Sequence, residues 1–167
     1  DFTGQRFEQD HGDAHNRRSM YIFWKRQAPP PQMLVFDAPN RETCTIRRAR
    51  SNTPLQALAL MNDVQYVEAA RAMAQRMIRE GGTTPEERLA WGFCLATARP
   101  PAPQELAVLQ RVHAFATAAY AADEGAAEKL VVIGESPRDT AIALQELAAY
   151  TVIANMIMNL DEVITKG

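Results

Sequence analysis

The sequence predicts a mainly α, single-domain bundle of five to seven helices, led by an irregular or small-β N-terminal third that is basic. Three observations carry this. From Leu55 to Leu160, apolar residues recur three and four positions apart, with helix start and stop signals between the runs. A chain of 167 residues, 47% of them apolar and 23% charged, has the length and composition to bury one core. Before Pro54, prolines, glycines and arginines interrupt every apolar run. The expected divisions are an irregular arm over residues 1–16 and a helical domain over 17–167. That domain comprises a basic, Pro-interrupted segment at 17–53 and a helical core at 54–167.

In chain order, the arm is polar and contains Gly4 and Gly12. In "NRRSMYIFWKRQ", Asn16 suits the N-cap of a helix stopped by Pro29, with Met20, Phe23 and Trp24 at i, i+3, i+4. The run's aromatic content also suits a strand, but helix is favoured. "APPPQMLVFDAP" reads as a Pro-bounded connection, extended around Pro29–Pro31. "ETCTIRR" alternates β-branched residues and reads as a short strand or extended segment. Asn52 or Thr53 suits an N-cap with Pro54 in the first turn, and Leu55, Leu58 and Met61 or Ala59 form an apolar face.

Asn62-Asp63 splits this run, and a second helix carries Val64, Val67, Ala70, Met73 or Ala74, and Met77 to a stop at Gly81-Gly82. Thr84-Pro85-Glu86-Glu87 has capping-box spacing, and the helix it opens carries Leu89, Phe93 and Ala96 up to Pro100-Pro101. A helix from Pro103 has Leu106, Leu109, His113, Ala116 and Tyr120 as its stripe. Asp123 to Ile133 holds a further short helix before Gly134 and Pro137. Ala141 to Leu160 is apolar almost all round, which predicts a central helix. Its four-spaced Thr151, Asn155 and Asn159 predict an interhelical hydrogen-bond seam.

The net charge of −2 argues against a general nucleic-acid binder. The charge is unevenly spread: residues 16–50 hold eight Lys/Arg against Asp37 and Glu42, whereas residues from Pro54 onward hold nine against fourteen acids. That asymmetry reads either as a basic third docking on an acidic remainder, or as a surface for an external anionic ligand. No transmembrane span is expected, because Leu147 to Leu160 is too short and carries polar residues.

Cys44 and Cys94 form no CxxC or CxxCH, so neither a zinc site nor haem attachment is expected in this chain; a disulfide and two free thiols both remain open. His11 and His15 stand four apart beside Asp10 and Asp13, but Gly12 weakens a helix there and no third ligand is visible, so no metal is assigned. His113 reads as a satisfied, half-buried side chain. There is no GxSxG, P-loop or GxGxxG, and Ser19, Ser51 and Ser136 lack a nucleophile context. No self-contained catalytic motif stands in the chain. A start at Asp1 without a methionine or signal peptide reads as a piece of a longer protein.

The binding or interface candidates are basic. Arg17, Arg18, Lys25 and Arg26 surround Tyr21, Phe23 and Trp24, while Arg41, Arg47, Arg48, Arg50 and Asn52 precede the helix start at Pro54. Guanidinium forks bind carboxylate, sulfate or phosphate bidentately, and a helix N-terminus favours the same anions. The same arginines are equally suited to clamping Asp37, Glu42 or the carbonyls of the Pro-rich connection, or to stacking on Trp24.

The segments "RRSMYIFWKR", "PPPQMLVFDAPNRETCTIRRARSNTPLQALALMND", "YVEAARAMAQRM", "ATARPPAPQEL" and "NLDEVIT" resemble the C-terminal part of the domain of unknown function 1553 family, a planctomycete-type, cytochrome-associated module of large exported proteins. The resemblance runs from about Asp10 to the end, and its long second segment is highly specific. It implies a C-terminal fragment of a multidomain protein in an extracytoplasmic setting (periplasmic or secreted), where a Cys44–Cys94 bridge would be permitted. It implies that any c-type haem belongs to an absent N-terminal module, with no cofactor in this chain.

The motif residues carried across include Arg17, Arg18, Tyr21, Trp24, Lys25, Arg26, Asp37, Arg41, Glu42, Arg47, Arg48, Asn52, Thr53, Pro54, Gln56, Asn62 and Asp63. They are expected to organise a polar junction. The favoured reading is a structural or docking module whose partners are the N-terminal domains of the same parent, with self-association of the isolated fragment. The rival is part of an enzyme acting on polyanionic polysaccharide, with the arginines holding the anionic glycan.

Overall fold

The structure is a computed structural model and describes residues 8–12, 14, 17, 19–25, 29–40, 42–48 and 51–164. The chain is mainly helical. Its helices are α1 (Pro31–Val35), α2 (Pro54–Asn62), α3 (Val64–Glu80), α4 (Pro85–Thr97), α5 (Pro103–Ala122), α6 (Glu124–Val131), α7 (Leu144–Met158) and α8 (Asp161–Ile164). Six of them reach eight residues, within the expected five to seven. The chain divides into two compact units, residues 1–57 and 58–167.

In the first unit, the helix expected across residues 17–26 does not form. Its described residues make one 3₁₀ turn at Ser19–Tyr21 and then an extended path to Lys25. Met20 and Phe23, two members of the expected stripe, are 69% and 73% exposed. A ten-residue helix is marginal in water unless an apolar face is buried, and here it is not. The "ETCTIRR" segment is likewise no strand: its described residues are exposed bends and extended chain, and Ile46 faces solvent completely. Alternation without a second strand or a core to cover it leaves nothing to hold a ladder.

Helix starts follow their caps. Thr53 precedes α2: its Oγ1 accepts from the Gln56 amide at 3.3 Å, and the Gln56 carboxamide oxygen accepts from the Thr53 amide at 2.9 Å, a reciprocal capping box. Asp63 separates α2 from α3 by accepting from the Gln65 amide at 2.9 Å. Thr84 and Glu87 form the expected box at the start of α4. Ala98, with φ of 60°, ends α4 in left-handed backbone. Ala102 has no side-chain acceptor to cap α5, but Glu105 reaches back to its amide at 2.7 Å.

The second unit is built around α7. Leu147, Ala148, Ala149, Tyr150, Thr151, Ile153, Ala154 and Ile157 are all buried, so the helix is covered on every side, as its uniform apolarity predicts. It packs most extensively on α3, then on α5 and α6. The facing residues are Ala70, Ala74 and Met77 of α3, Leu89 and Phe93 of α4, Leu109 of α5, and Ala127 and Val131 of α6. Gly92 lets α4 approach α3: a Cβ there would lie 2.7 Å from Met77 Sδ. Val64 departs from the expected stripe of α3 and is 48% exposed.

In the polar line on α7, Thr151 donates to its own Leu147 carbonyl at 2.7 Å. Asn155 reaches the carbonyls of Leu60 and Met61 at 3.4 and 3.5 Å. Asn155 therefore serves the end of α2, whereas Thr151 stays within its helix. Among the described residues, no helix is long and apolar enough to cross a membrane.

Candidate functional site

The specific motif of the first unit builds an internal staple. α1 ends at Val35, and the next carbonyls lack helical partners. Asp37 adopts φ of 55°, a left-handed conformation that a short polar side chain tolerates. Its Oδ2 accepts from the Ser51 amide at 2.9 Å, the Ser51 hydroxyl at 2.6 Å and the Gln56 amide group at 3.4 Å. Gln56, only 2% exposed, also donates to the Val35 carbonyl at 2.9 Å and to Ser51 Oγ at 3.0 Å. Arg48 Nε donates to the Asp37 carbonyl at 2.8 Å, and its Nη2 donates to the Phe36 carbonyl.

Three successive carbonyls, those of Val35 at the end of α1 and of Phe36 and Asp37 after it, are thus satisfied from residues 48–56. The Ser51 hydroxyl foremost, then the Ser51 amide, hold the Asp37 carboxyl below its usual range against an opposing cost of burial; Gln56 and the charge of Arg48 assist.

The basic candidates divide by use. Arg48 is a clamp on backbone carbonyls. Arg47, its neighbour, is exposed and makes no hydrogen bond or ion pair among the described residues, and the side chain of Arg17 is the same. Trp24 and Lys25 are half-buried and engaged, and the exposed Asn52 is engaged as well. Arg18, Arg26, Arg41 and Arg50 lie outside the described residues, as does His15 of the His11–His15 pair.

Apolar exposure concentrates in the same part of the chain. Among the described residues, nine of the thirteen exposed large hydrophobic side chains fall between Met20 and Val64: Met20, Tyr21, Phe23, Leu34, Ile46, Leu55, Leu58, Met61 and Val64. α2 contributes Leu55, Leu58 and Met61 at three-residue spacing, and it contains no charged residue.

The second unit holds polar clusters that sequence reasoning missed. Arg71, 3% exposed, donates to the carbonyls of Val131 at 2.5 Å and Ser136 at 2.6 Å, beside Glu68 at 3.6 Å. Glu68 in turn accepts from the amides of Glu135 at 3.0 Å and Ser136 at 2.6 Å, and from the Ser136 hydroxyl. Together they fix the turn after α6, where Gly134 (φ of 99°) sits directly against Glu68. The i, i+3 spacing of Glu68 and Arg71 was visible, but their burial was not.

Arg99 forms bidentate pairs with Glu105 (2.8 and 2.7 Å) and Glu162 (3.1 and 2.8 Å) and stacks 4.8 Å from the Phe93 ring. Its hydrogen bonds foremost, then the Ala102 amide, hold the Glu105 carboxyl down at about 2. A third cluster joins α4, α5 and α7. Arg88 Nη1 donates to Glu146 at 2.8 Å, and its guanidinium lies 5.9 Å from the Tyr150 ring centroid. The half-buried His113 ring lies 4.5 Å from the same ring.

Both cysteines are free thiols, Cys44 exposed and Cys94 half-buried. Among the described residues, no group of three or more His, Cys, Asp or Glu side chains is placed to hold a metal ion.

The family model described as "PSD1: Protein of unknown function (DUF1553)" matches residues 2–113. The matched span holds the whole staple, Arg71, Arg99 and Glu105, and ends inside α5, ahead of α6, α7 and α8. No curated protein and no solved structure matches the chain. A match over two thirds of the residues, containing the motif that ties Asp37 to Arg48, Ser51 and Gln56, places this chain in the DUF1553 family of proteins of unknown function.

Proposed function

We propose that the chain is a non-catalytic helical module that stabilises or docks within a larger exported multidomain protein of the planctomycete, c-type cytochrome-associated kind. Its setting is extracytoplasmic, and its partners are the N-terminal domains of the same parent. The observation that carries this reading is the concentration of exposed apolar side chains between Met20 and Val64, in a stretch that also presents Arg47, exposed and making no ion pair among the described residues. Arginine, aromatic residues and methionine are the types enriched at protein interfaces. The internal staple spends Arg48 on the backbone and so holds the segment that displays its neighbour.

The test is binding of this chain to the separately produced N-terminal domains, read by calorimetry. Phe23→Ser combined with Arg47→Ala should weaken the complex at least tenfold while leaving the helical circular dichroism unchanged. No measurable complex with the wild-type chain would end the proposal.

A second reading rests on Arg17 and Arg47, whose guanidinium groups are exposed and make no hydrogen bond or ion pair among the described residues. In it the parent is an enzyme acting on polyanionic polysaccharide, and these arginines hold the glycan. Binding to a sulfated polysaccharide, absent for its desulfated form and lost in Arg17→Ala plus Arg47→Ala, would support it. Arg48→Ala is unsuitable for this purpose, because it also opens the staple.

A further inference from the structure

We propose that His113 makes the junction of α4, α5 and α7 an acid-sensitive seam, in which two cationic groups compete for one carboxylate. His113 lies on α5, half-buried, with its ring 4.5 Å from that of Tyr150 on α7. Tyr150 is 1% exposed, and its hydroxyl is buried. The charged groups that face His113 are Arg88 from α4 and Glu146 from α7. Glu146 is already bound to Arg88 at 2.8 Å, and Arg88 also holds the Gly82 carbonyl at 3.1 Å.

A proton on His113 therefore enters a site whose single carboxylate is taken and whose other neighbour is a guanidinium. Glu146 favours that proton. Burial, the largest effect, and Arg88 oppose it and prevail, so the imidazole stays neutral below its ordinary value near 6.5.

The sign follows from linkage. The unfolded chain binds a proton at His113 more readily than the folded one. Stability is complete above the ordinary histidine value and is lost as pH falls from there through the depressed folded value. Over that interval the carboxylates held in ion pairs and caps, Glu68, Glu87, Glu105 and Asp139, stay ionised, since each is lowered. The loss in mildly acidic solution is thus assigned to this seam. Its consequence is release of α5 from α7, the helix on which the second unit is built.

The experiment uses the whole chain. Imidazole resonances of the three histidines are followed by NMR from about pH 7.5 to about pH 5, a range that brackets the unperturbed histidine value. His113 should titrate below the ordinary histidine value near 6.5, and amide exchange in α5 and α7 should accelerate over the same interval. Urea unfolding should show a stability loss across this range in the wild type that disappears in His113→Gln. Glu146→Gln should steepen the loss by removing the carboxylate that favours the proton. His113 titrating at or above the ordinary histidine value, or His113→Gln retaining the wild-type pH slope, would overturn the proposal. An unchanged slope in Glu146→Gln would overturn the competition for one carboxylate.

Discussion

The two units use the same residue types in opposite ways. In residues 58–167, leucine, isoleucine and methionine fill a core around α7, and Arg71, Arg76, Arg79, Arg88 and Arg99 are each tied to a carboxylate. In residues 1–57, Met20, Phe23, Leu34, Ile46 and Leu55 are exposed, and Arg48 holds backbone carbonyls while Arg17 and Arg47 hold nothing among the described residues. Five contiguous helices can bury apolar faces against one another. A Pro-interrupted chain with a five-residue helix cannot, and it secures itself with hydrogen bonds to carbonyls that a longer helix would have satisfied. The first unit is thus held by polar geometry and the second by packing, which leaves the first with apolar surface to offer.

This contrast is open to breakage at both ends. The largest effect is expected for Leu147→Ala, where a fully buried side chain leaves a cavity: about 2–5 kcal/mol by urea unfolding. The same substitution at the 58%-exposed Leu55 should stay within about 0.5 kcal/mol. Equal losses at the two leucines would erase the distinction between units. Arg71→Ala should follow, at about 1–3 kcal/mol, because it leaves the buried Val131 carbonyl without its donor and removes the charge beside Glu68. Its amide-exchange signature should centre on residues 132–137.

Gln56→Ala should cost about 1–3 kcal/mol locally by unsatisfying the Val35 carbonyl. Faster exchange confined to residues 31–57 would confirm that the staple is a separate device. The smallest effect is one of pH. Asp37 has a folded value below its ordinary 3.8, so its support of the staple is complete above that value and disappears as pH falls through the lowered one. Loss of protection at the Ser51 amide, followed by NMR, would mark it. A Ser51 amide that keeps its protection after Asp37 protonates would show that Arg48 and Gln56 hold the staple unaided.

Much of the second unit was legible because its signals are local. Thr84 and Glu87 sit three residues apart and can bond only if a helix begins there. Asp63 interrupts two apolar runs and caps the second. The uniform apolarity of Leu147 to Ile157 leaves no solvent face, so the helix lies at the centre. The stretch from Arg17 to Lys25 misled because Met20, Phe23 and Trp24 have helical spacing, and spacing has force only when a surface exists to bury the stripe. The arginine group before Pro54 was recognised as chemistry but not resolved into roles. Nothing in "RR" separates Arg47, which makes no hydrogen bond or ion pair among the described residues, from Arg48, which caps α1 across twelve residues.

The amino-acid order alone determined where the later helices begin and end, that α7 is central, and that the chain carries the motif of its family. Those properties rest on bonds and periodicities spanning a few residues. Tertiary structure alone decided that Gln56 and Arg71 are buried, that Glu68 holds the turn after α6, that Arg99 gathers Glu105 and Glu162, and that His113 meets Tyr150 beside a carboxylate already taken. Each of these joins groups distant along the chain. The cost of burying a charge or an amide is set by the partners that folding brings to it.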